Sequence, residues 1–366
     1  MTGRQKTIIH VVGARPNYMK IAPLMDALKA DGRVRQLLVN TGQHYDSAMA
    51  GAFIQELSLP VPDRNLDVGS AGHAVQTANV MTRFEQVCLE EKPDLVVVVG
   101  DVNSTMAATL VAAKLLIPVA HVEAGLRSFD RTMPEEINRV VTDRLADILL
   151  TPSPDGDDNL LREGVPRERI HLVGNIMIDT LLRHVPMATL DRVADRVNVR
   201  PGCYALLTLH RPSNVDVRET FAGILSAVGA IAAELPVVFP VHPRTQTRVK
   251  EFGLSELLKD VQMTGPLGYI DFLSLTSHAK IVLTDSGGLQ EESTALGIPC
   301  LTLRENTERP ITVTHGTNAV VGTDTANILA GYRNAVRADV PKRRPDLWDG
   351  RAAIRIASVL QSFLFG

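Results

Sequence analysis

Short, nearly uninterrupted apolar runs recur along the chain at intervals that leave room for a helix between them. TIIHVV (7–12), VRQLLVN (34–40), DLVVVV (94–99), IPVAHV (117–122), DILLT (147–151) and RIHLV (169–173) form a first series. Runs of this kind, rich in Val, Ile and Leu, suit a parallel sheet covered by helices on both faces, whose strands have no solvent side on which to alternate polar residues. After RHVPMATLDR (183–192) the pattern restarts with YALLTL (204–209), PVVFPV (236–241), VQMTG (261–265), KIVLTD (280–285) and IPCLTL (298–303). The repetition predicts an α/β chain of two Rossmann-like, doubly wound lobes facing a central cleft and joined near residues 174–195. The first lobe is expected over residues 1–176 and the second over 177–349. The closing helical stretch, residues 350–366, is able to pack back on the first.

Composition narrows the class. The chain has 366 residues, 45% hydrophobic and 22% charged, with a formal net charge of −3. That excludes disorder and a polybasic nucleic-acid surface. Cys88, Cys203 and Cys300 lie far apart without a CxxC pair, which argues against a zinc site or a disulfide framework and for a reducing cytoplasm. MTGRQKT leads straight into the first apolar run without a signal-peptide pattern, and no apolar run approaches the roughly 20 residues of a membrane span.

In parallel sheets ligands gather beyond the carboxyl ends of strands, so the residues after each run carry the candidate chemistry. HVVGARPNYMK (10–20) is a strand, a glycine turn and a helix start, but not GxGxxG, which removes the main support for a nicotinamide cofactor. Arg15 and Lys20 would project where an anion sits near a helix N-terminus, although a solvated Arg in any βα turn looks the same. VVVVGDVNSTMAA (96–108) sets Asp101 after four valines, where it could equally be a helix cap. KIVLTDSGGLQEESTALG (280–297) is clearer. Ser286-Gly287-Gly288 lets backbone approach a ligand, the next helix offers free N–H groups to a phosphate, and Glu292 can accept the hydroxyls of a ribose. His210 with Arg211, and His242 with Arg244, end two strands of the second series and suggest an anion site. Phe272 in GYIDF could stack on a base, with a core role as the plain alternative. Arg304, Glu305, Glu308 and Arg309 crowd one further loop.

Taken together, GARPNYMKIAPL (13–24), TGQHYD (41–46), GDVNST (100–105), HVEAGLR (121–127), PEEINR (134–139), HRPSN (210–214), HPRT (242–245), DSGGLQEE (285–292) and TERP (307–310) resemble the non-hydrolysing UDP-N-acetylglucosamine 2-epimerases, which have the GT-B fold. The resemblance spans nearly the whole chain in the family's order. It implies Asp101, Glu123, Glu135 and His210 as catalytic groups. It implies substrate contacts at Arg15, Lys20, Arg139, Arg211, His242, Phe272, Ser286, Gly287, Gly288, Glu292 and Arg309. It also implies a UDP-sugar substrate, no cofactor or metal, and a homodimer. DVGSAGHAVQTAN (67–79) lacks the Arg-Gln pair of a second, activating substrate site in many bacterial members, while Gln43, His44 and Glu136 remain as candidate regulatory positions. The GSAGHAVQT and HRPSN variants also resemble relatives acting on modified sugars such as UDP-2,3-diacetamido-glucuronic acid.

The implied chemistry suits these residue types. The C2 hydrogen has no adjacent carbonyl, so loss of UDP from C1 must drive its removal; charge grows positive on the ring and negative on the diphosphate. Inverting C2 needs acid/base groups on both faces, which Glu123 and Glu135 can supply. The alternatives are a hydrolysing epimerase, a GT-B glycosyltransferase needing an acceptor, and a UDP-sugar sensor without chemistry. Neither of the last two needs the whole carboxylate set.

Overall fold

The structure, a computed structural model, describes residues 4–30, 32–42, 59–337 and 343–366. The chain divides into two compact units, Met1–Thr180 with Asp346–Gly366, and Leu181–Pro345. Among the described residues the first unit has strands β1 (Lys6–Val12), β2 (Val34–Asn40), β3 (Arg64–Asn65), β4 (Leu95–Val99), β5 (Val119–Val122), β6 (Ile148–Thr151) and β7 (Ile170–Leu172). They form one sheet in the order β3-β2-β1-β4-β5-β6-β7, with every pairing parallel. Helices α1 (Arg15–Leu28), α2 (His73–Glu91), α3 (Asn103–Lys114), α4 (Pro134–Leu145) and α5 (Pro154–Arg162) connect them. All five residues of β4 are buried, which is why DLVVVV carries no polar alternation. Ile9, Val11, Val96 and Val98 pack with Phe84 and Val87 of α2 and Val111 of α3 in one core.

Helix α6 (Ile176–His184) carries the chain into the second unit. Its strands are β8 (Ala205–Thr208), β9 (Val237–Pro240), β10 (Val261–Thr264), β11 (Ile281–Thr284), β12 (Cys300–Thr302) and β13 (Asn318–Val320), in the parallel order β10-β9-β8-β11-β12-β13. Helices α7 (Pro212–Val215), α8 (Arg218–Ala232), α9 (Pro243–Glu251), α10 (Tyr269–His278), α11 (Gly287–Leu296), α12 (Ile311–Thr314) and α13 (Thr325–Arg337) accompany them. Phe221, Ile224 and Val228 of α8 pack with Leu207, Phe239 and Leu283 on one face, while Tyr204, Leu206, Val282 and Leu289 form a core on the other. Every apolar run named above becomes a strand. In both sheets the strand order reverses in the middle, between β1 and β4 and between β8 and β11, and such a switch point opens a crevice at the carboxyl ends. Among the described residues no helix is long and apolar enough to cross a membrane.

The last helix, α14 (Ala352–Phe365), belongs to the first unit and packs against α1. Its buried residues Ala352, Ala353, Ile356, Ala357 and Leu360 form the stripe expected of a helix with one covered face. Two polar contacts fix its start. Asp179 accepts the backbone N–H of Ala352 at 3.1 Å and of Ala353 at 2.8 Å, so a carboxylate meets the positive end of the helix. Trp348, just upstream and fully buried, donates its indole N–H to the Pro152 carbonyl at 3.0 Å.

Trp348 is the only tryptophan in the sequence, so its fluorescence reports on the first unit. Asp179→Ala leaves two helix-end donors without their acceptor and should lower the stability seen by that fluorescence by about 1–2 kcal/mol in urea titration. An unchanged midpoint would show that the Asp179 cap does not hold α14.

Candidate active site

At the first unit's switch point, Asn17 of α1 ties the two strand ends together. Its side-chain oxygen accepts the N–H of Gly13 at 3.2 Å and of Ala14 at 2.9 Å, and its amide donates to the Val99 carbonyl at 3.1 Å. Accepting the backbone N–H just before a helix from its third residue is half of a capping box. Gly100 follows β4 with φ +69°, and a Cβ there would stand 3.4–3.7 Å from Asn17 Nδ2, Lys20 Nζ and Glu123 Oε2. Those three side chains therefore crowd one point at the strand end. Lys20 and Glu123 form a buried ion pair. Lys20, expected to face a substrate anion, has Glu123 as its partner.

Glu123 is held in the left-handed region at φ +74°, a conformation that costs a non-glycine residue energy and is kept only where its surroundings fix it. The backbone N–H groups of Glu123 and Ala124 both donate to the Leu150 carbonyl, at 3.0 and 3.1 Å. Beneath them, buried His121 lies 2.6 Å from Asp143 through Nδ1 and 2.9 Å from the Gly100 carbonyl through Nε2. Asp143 also accepts the Gly125 N–H at 3.1 Å and Arg127 at 2.6 Å, and Arg127 continues to Glu163. Burial pushes the Asp143 carboxyl up, but His121 and Arg127 outweigh it and hold the group below the usual carboxylate range.

Asp101 and Arg139 lie 2.6 Å apart, and Arg139 reaches Glu136 at 2.7 Å with its other nitrogen. Glu136 is not a surface residue. Its carboxylate accepts the Ser128 N–H and hydroxyl and the Phe129 N–H, each at 3.0 Å, closing the 128–129 turn onto the start of α4. Burial raises its pKa, and these donors with Arg139 bring it below the ordinary value. Glu135, one residue earlier in the first turn of α4, is exposed, as is Arg15 at the start of α1. Arg131 is exposed and Asp130 half-buried, while Gln43 and His44 lie outside the described residues.

In the second unit one carboxylate does what Asn17 does in the first. Asp285, fully buried after β11, accepts the backbone N–H of His210 at 3.0 Å and of Arg211 at 2.9 Å, and the Asn214 amide at 3.3 Å. His210 Nδ1 lies 2.9 Å from its other oxygen. Ser286 then takes the N-cap position of α11 in an extended conformation without a side-chain bond to the helix, and Gly287 and Gly288 open the helix. A Cβ on Gly287 would meet Arg309 Nη1 and Glu308 Oε1 at 2.8 Å, so glycine is required for the arginine to lie against the turn. Around Glu308 gather Arg304 at 2.8 Å, Arg309 at 2.9 Å and Arg211 at 3.3 Å, and Arg309 also reaches Glu291 at 2.8 Å. Three guanidinium groups therefore gather beside a helix N-terminus, whose free donors suit a phosphate.

Glu292 is buried and accepts the Tyr269 hydroxyl at 3.2 Å. Burial pushes its pKa up to about 7, against the Tyr269 hydrogen bond and with Glu291 adding to the rise. Phe272 packs against the core that contains Tyr204 and Val282. His242 is exposed and caps α9, accepting the Arg244 N–H on Nδ1 at 3.3 Å, while Arg244 pairs with Asp216 at 2.5 Å. Sequence reasoning missed Asn17, Tyr269 and the bridging role of Asp285. Asn17 alone had a local signal, its place at the third position of a helix after a glycine turn.

Comparison with known proteins identifies the family. The sequence pattern of UDP-N-acetylglucosamine 2-epimerases matches residues 26–361. The UDP-N-acetylglucosamine 2-epimerase of Methanocaldococcus jannaschii is 42% identical over 358 residues, covering 96% of this chain and 97% of that one. The UDP-2,3-diacetamido-2,3-dideoxy-D-glucuronate 2-epimerase of Pseudomonas aeruginosa is 38% identical, covering 96% and 99%. The crystal structure of the M. jannaschii UDP-GlcNAc 2-epimerase in complex with UDP-GlcNAc and UDP superposes with a TM-score of 0.89 at 40% identity, covering 97% of this chain and 99% of that one. Two parallel sheets with interleaved helices and a match that runs along nearly the whole sequence lead to one assignment: the chain belongs to the UDP-N-acetylglucosamine 2-epimerase family.

Proposed function

We propose that the protein interconverts UDP-N-acetylglucosamine and UDP-N-acetylmannosamine by eliminating UDP across C1 and C2 and adding it back with C2 inverted. What carries the reading is the opposite chemistry of the two switch points. Carboxylates Asp101 and Glu123, paired with Arg139 and Lys20, stand at the first, and arginines beside a helix N-terminus stand at the second. An elimination of this kind generates positive charge on the sugar and negative charge on the diphosphate, and each needs preorganised groups of the other sign.

In the forward step a base takes the C2 proton, the C–H electrons form the C1–C2 double bond, and the C1–O electrons leave with UDP. In the return step an acid delivers a proton to the other face of C2 while a diphosphate oxygen attacks C1. Glu123 and Glu135 serve as this pair, and Asp101, held by Arg139, is the third carboxylate of the reaction. Ser286, Gly287, Gly288 and Arg309 take the diphosphate, with His210, Arg211 and His242 beside them, Glu292 takes the ribose, and Phe272 lies along the base. Arg15, exposed at the start of α1, is a further substrate contact in this reading. The protein acts as a homodimer in the cytoplasm, in keeping with the family resemblance and with three free cysteines.

A second substrate is favoured by one observation, the 38% identity to an epimerase of a diacetamido-glucuronate sugar nucleotide. Proton NMR in D₂O with both sugar nucleotides in parallel decides. The expected result is conversion of UDP-N-acetylglucosamine with loss of the C2 proton signal. Free N-acetylmannosamine and UDP as main products would instead indicate a hydrolase, and no turnover without an acceptor a glycosyltransferase.

Glu135→Gln should lower turnover by about 10²–10⁴-fold with UDP affinity within about threefold and an unchanged melting temperature, since Glu135 is exposed. Glu123→Gln should lower turnover similarly but also cost about 3 kcal/mol of stability, because it strands the buried Lys20 charge. Equal melting behaviour of the two variants would contradict this division.

Glu292 gives a pH dependence. Its folded pKa of about 7 lies above the ordinary 4.5, so the unfolded chain gives up this proton first as pH rises. The contribution of Glu292 to stability is therefore fully present below the unfolded value and is lost as pH climbs through the folded one. Glu292→Gln, neutral throughout, should gain on the wild type by about 3 kcal/mol at about pH 8 in urea titrations. A difference that does not grow between mildly acidic and mildly alkaline pH would refute it.

A further inference from the structure

Both histidines at strand ends of the second unit face the same question: which ring nitrogen carries the proton. Their Nδ1 atoms have neighbours of opposite kind. His242 accepts the Arg244 N–H on Nδ1, so its neutral ring carries the proton on Nε2. His210 turns Nδ1 to a carboxylate oxygen of Asp285 at 2.9 Å, while its side chain as a whole is 55% exposed. Nδ1 is thus the ring nitrogen beside the carboxylate, on a side chain that reaches solvent.

We propose that Asp285 is a positioning residue for His210, holding the ring by its Nδ1 proton so that Nε2 is the nitrogen presented to the substrate. The inference rests on the reading that His210 takes part in the epimerisation. Asp285 is suited to the task because it has no freedom of its own. It is fully buried, and its second oxygen accepts the N–H groups of His210 and Arg211 and the Asn214 amide. Asn214 is in turn anchored to the Leu303 carbonyl at 2.9 Å. Burial pushes the Asp285 carboxyl up, but His210 and the backbone donors hold it below the usual range, so the group is an acceptor only. The Arg211 guanidinium, the other charge here, donates to the Asp285 main-chain carbonyl at 2.9 Å and points on to Glu308, leaving the carboxylate to the histidine. One side chain therefore fixes the backbone leaving β8, the ring plane and the tautomer together.

Asp285→Asn separates these roles. The amide oxygen keeps the two backbone N–H donors, which nothing else satisfies as well, and the NH₂ turns toward Nδ1. The ring must then accept on Nδ1 and move its proton to Nε2. Ring ¹⁵N NMR of the folded protein, assigned by the signals lost in His210→Gln, should show an Nδ1–H ring in the wild type and an Nε2–H ring in Asp285→Asn. Turnover should fall by about 10²–10⁴-fold with UDP affinity within about threefold. In the His210→Gln background the same change should cost less than about twofold, since it acts through the ring already removed.

An Nε2–H ring in the wild type overturns the proposal, and that measurement requires neither substrate nor a folded Asp285 variant. A cost in the His210→Gln background as large as in the wild type also overturns it, leaving Asp285 a structural tie alone. If the wild type epimerises no UDP-sugar, the proposed reaction fails while the tautomer result stands.

Discussion

Where two neighbouring parallel strands send their connections to opposite faces of a sheet, the backbone donors at their ends lose the ladder that satisfied them. Filling the gap with more structure would close the crevice; leaving the donors bare would cost about 1–3 kcal/mol each. Each unit solves this with one side chain. Asn17 accepts the N–H groups of Gly13 and Ala14 and donates to Val99, and Asp285 accepts those of His210 and Arg211. The rest of each site is arranged around that tie. Gly100, Lys20 and Glu123 close on Asn17, and the Ser286-Gly287-Gly288 turn starts from Asp285.

The two ties differ in charge, and their surroundings follow. The neutral amide of Asn17 allows the first unit to set acids against cations in pairs, Glu123 with Lys20 and Asp101 and Glu136 with Arg139. Asp285 already brings a negative charge, which the main-chain donors and the His210 ring solvate, and beyond it three arginines gather around Glu308. Buried ion pairs are a weak source of stability, because desolvation takes back most of the attraction. Their concentration at the two switch points, alongside cores made of Val, Ile and Leu, fits groups kept for what they do to a charged ligand.

The strands were legible because parallel strands buried on both faces need continuous apolar runs, and this chain has them. The edges were not. β3 is the exposed pair Arg64–Asn65 and β13 the short Asn318–Val320, and neither carries enough apolar side chain to leave a pattern. At the site, the turns and helix starts could be read, since glycine and capping residues are local signals. Partnerships could not. Lys20 and Glu123 stand 103 positions apart, and His210 and Asp285 75. Even neighbours diverge in fate: Glu135 reaches solvent and Glu136 is buried, because one turn of α4 points the first outward and the second at the Ser128 and Phe129 donors.

The return of α14 to the first unit makes the second an insertion within it. During synthesis residues 181–345 leave the ribosome before 346–366 do, so the unit that begins the chain is the last to be completed. For the time taken to make the whole second unit, roughly 8 to 33 seconds at about 5–20 residues per second, α1 waits without its partner helix. The nascent chain therefore passes through a stage in which a finished unit trails an unfinished one, with the uncovered side of α1 open to chaperones.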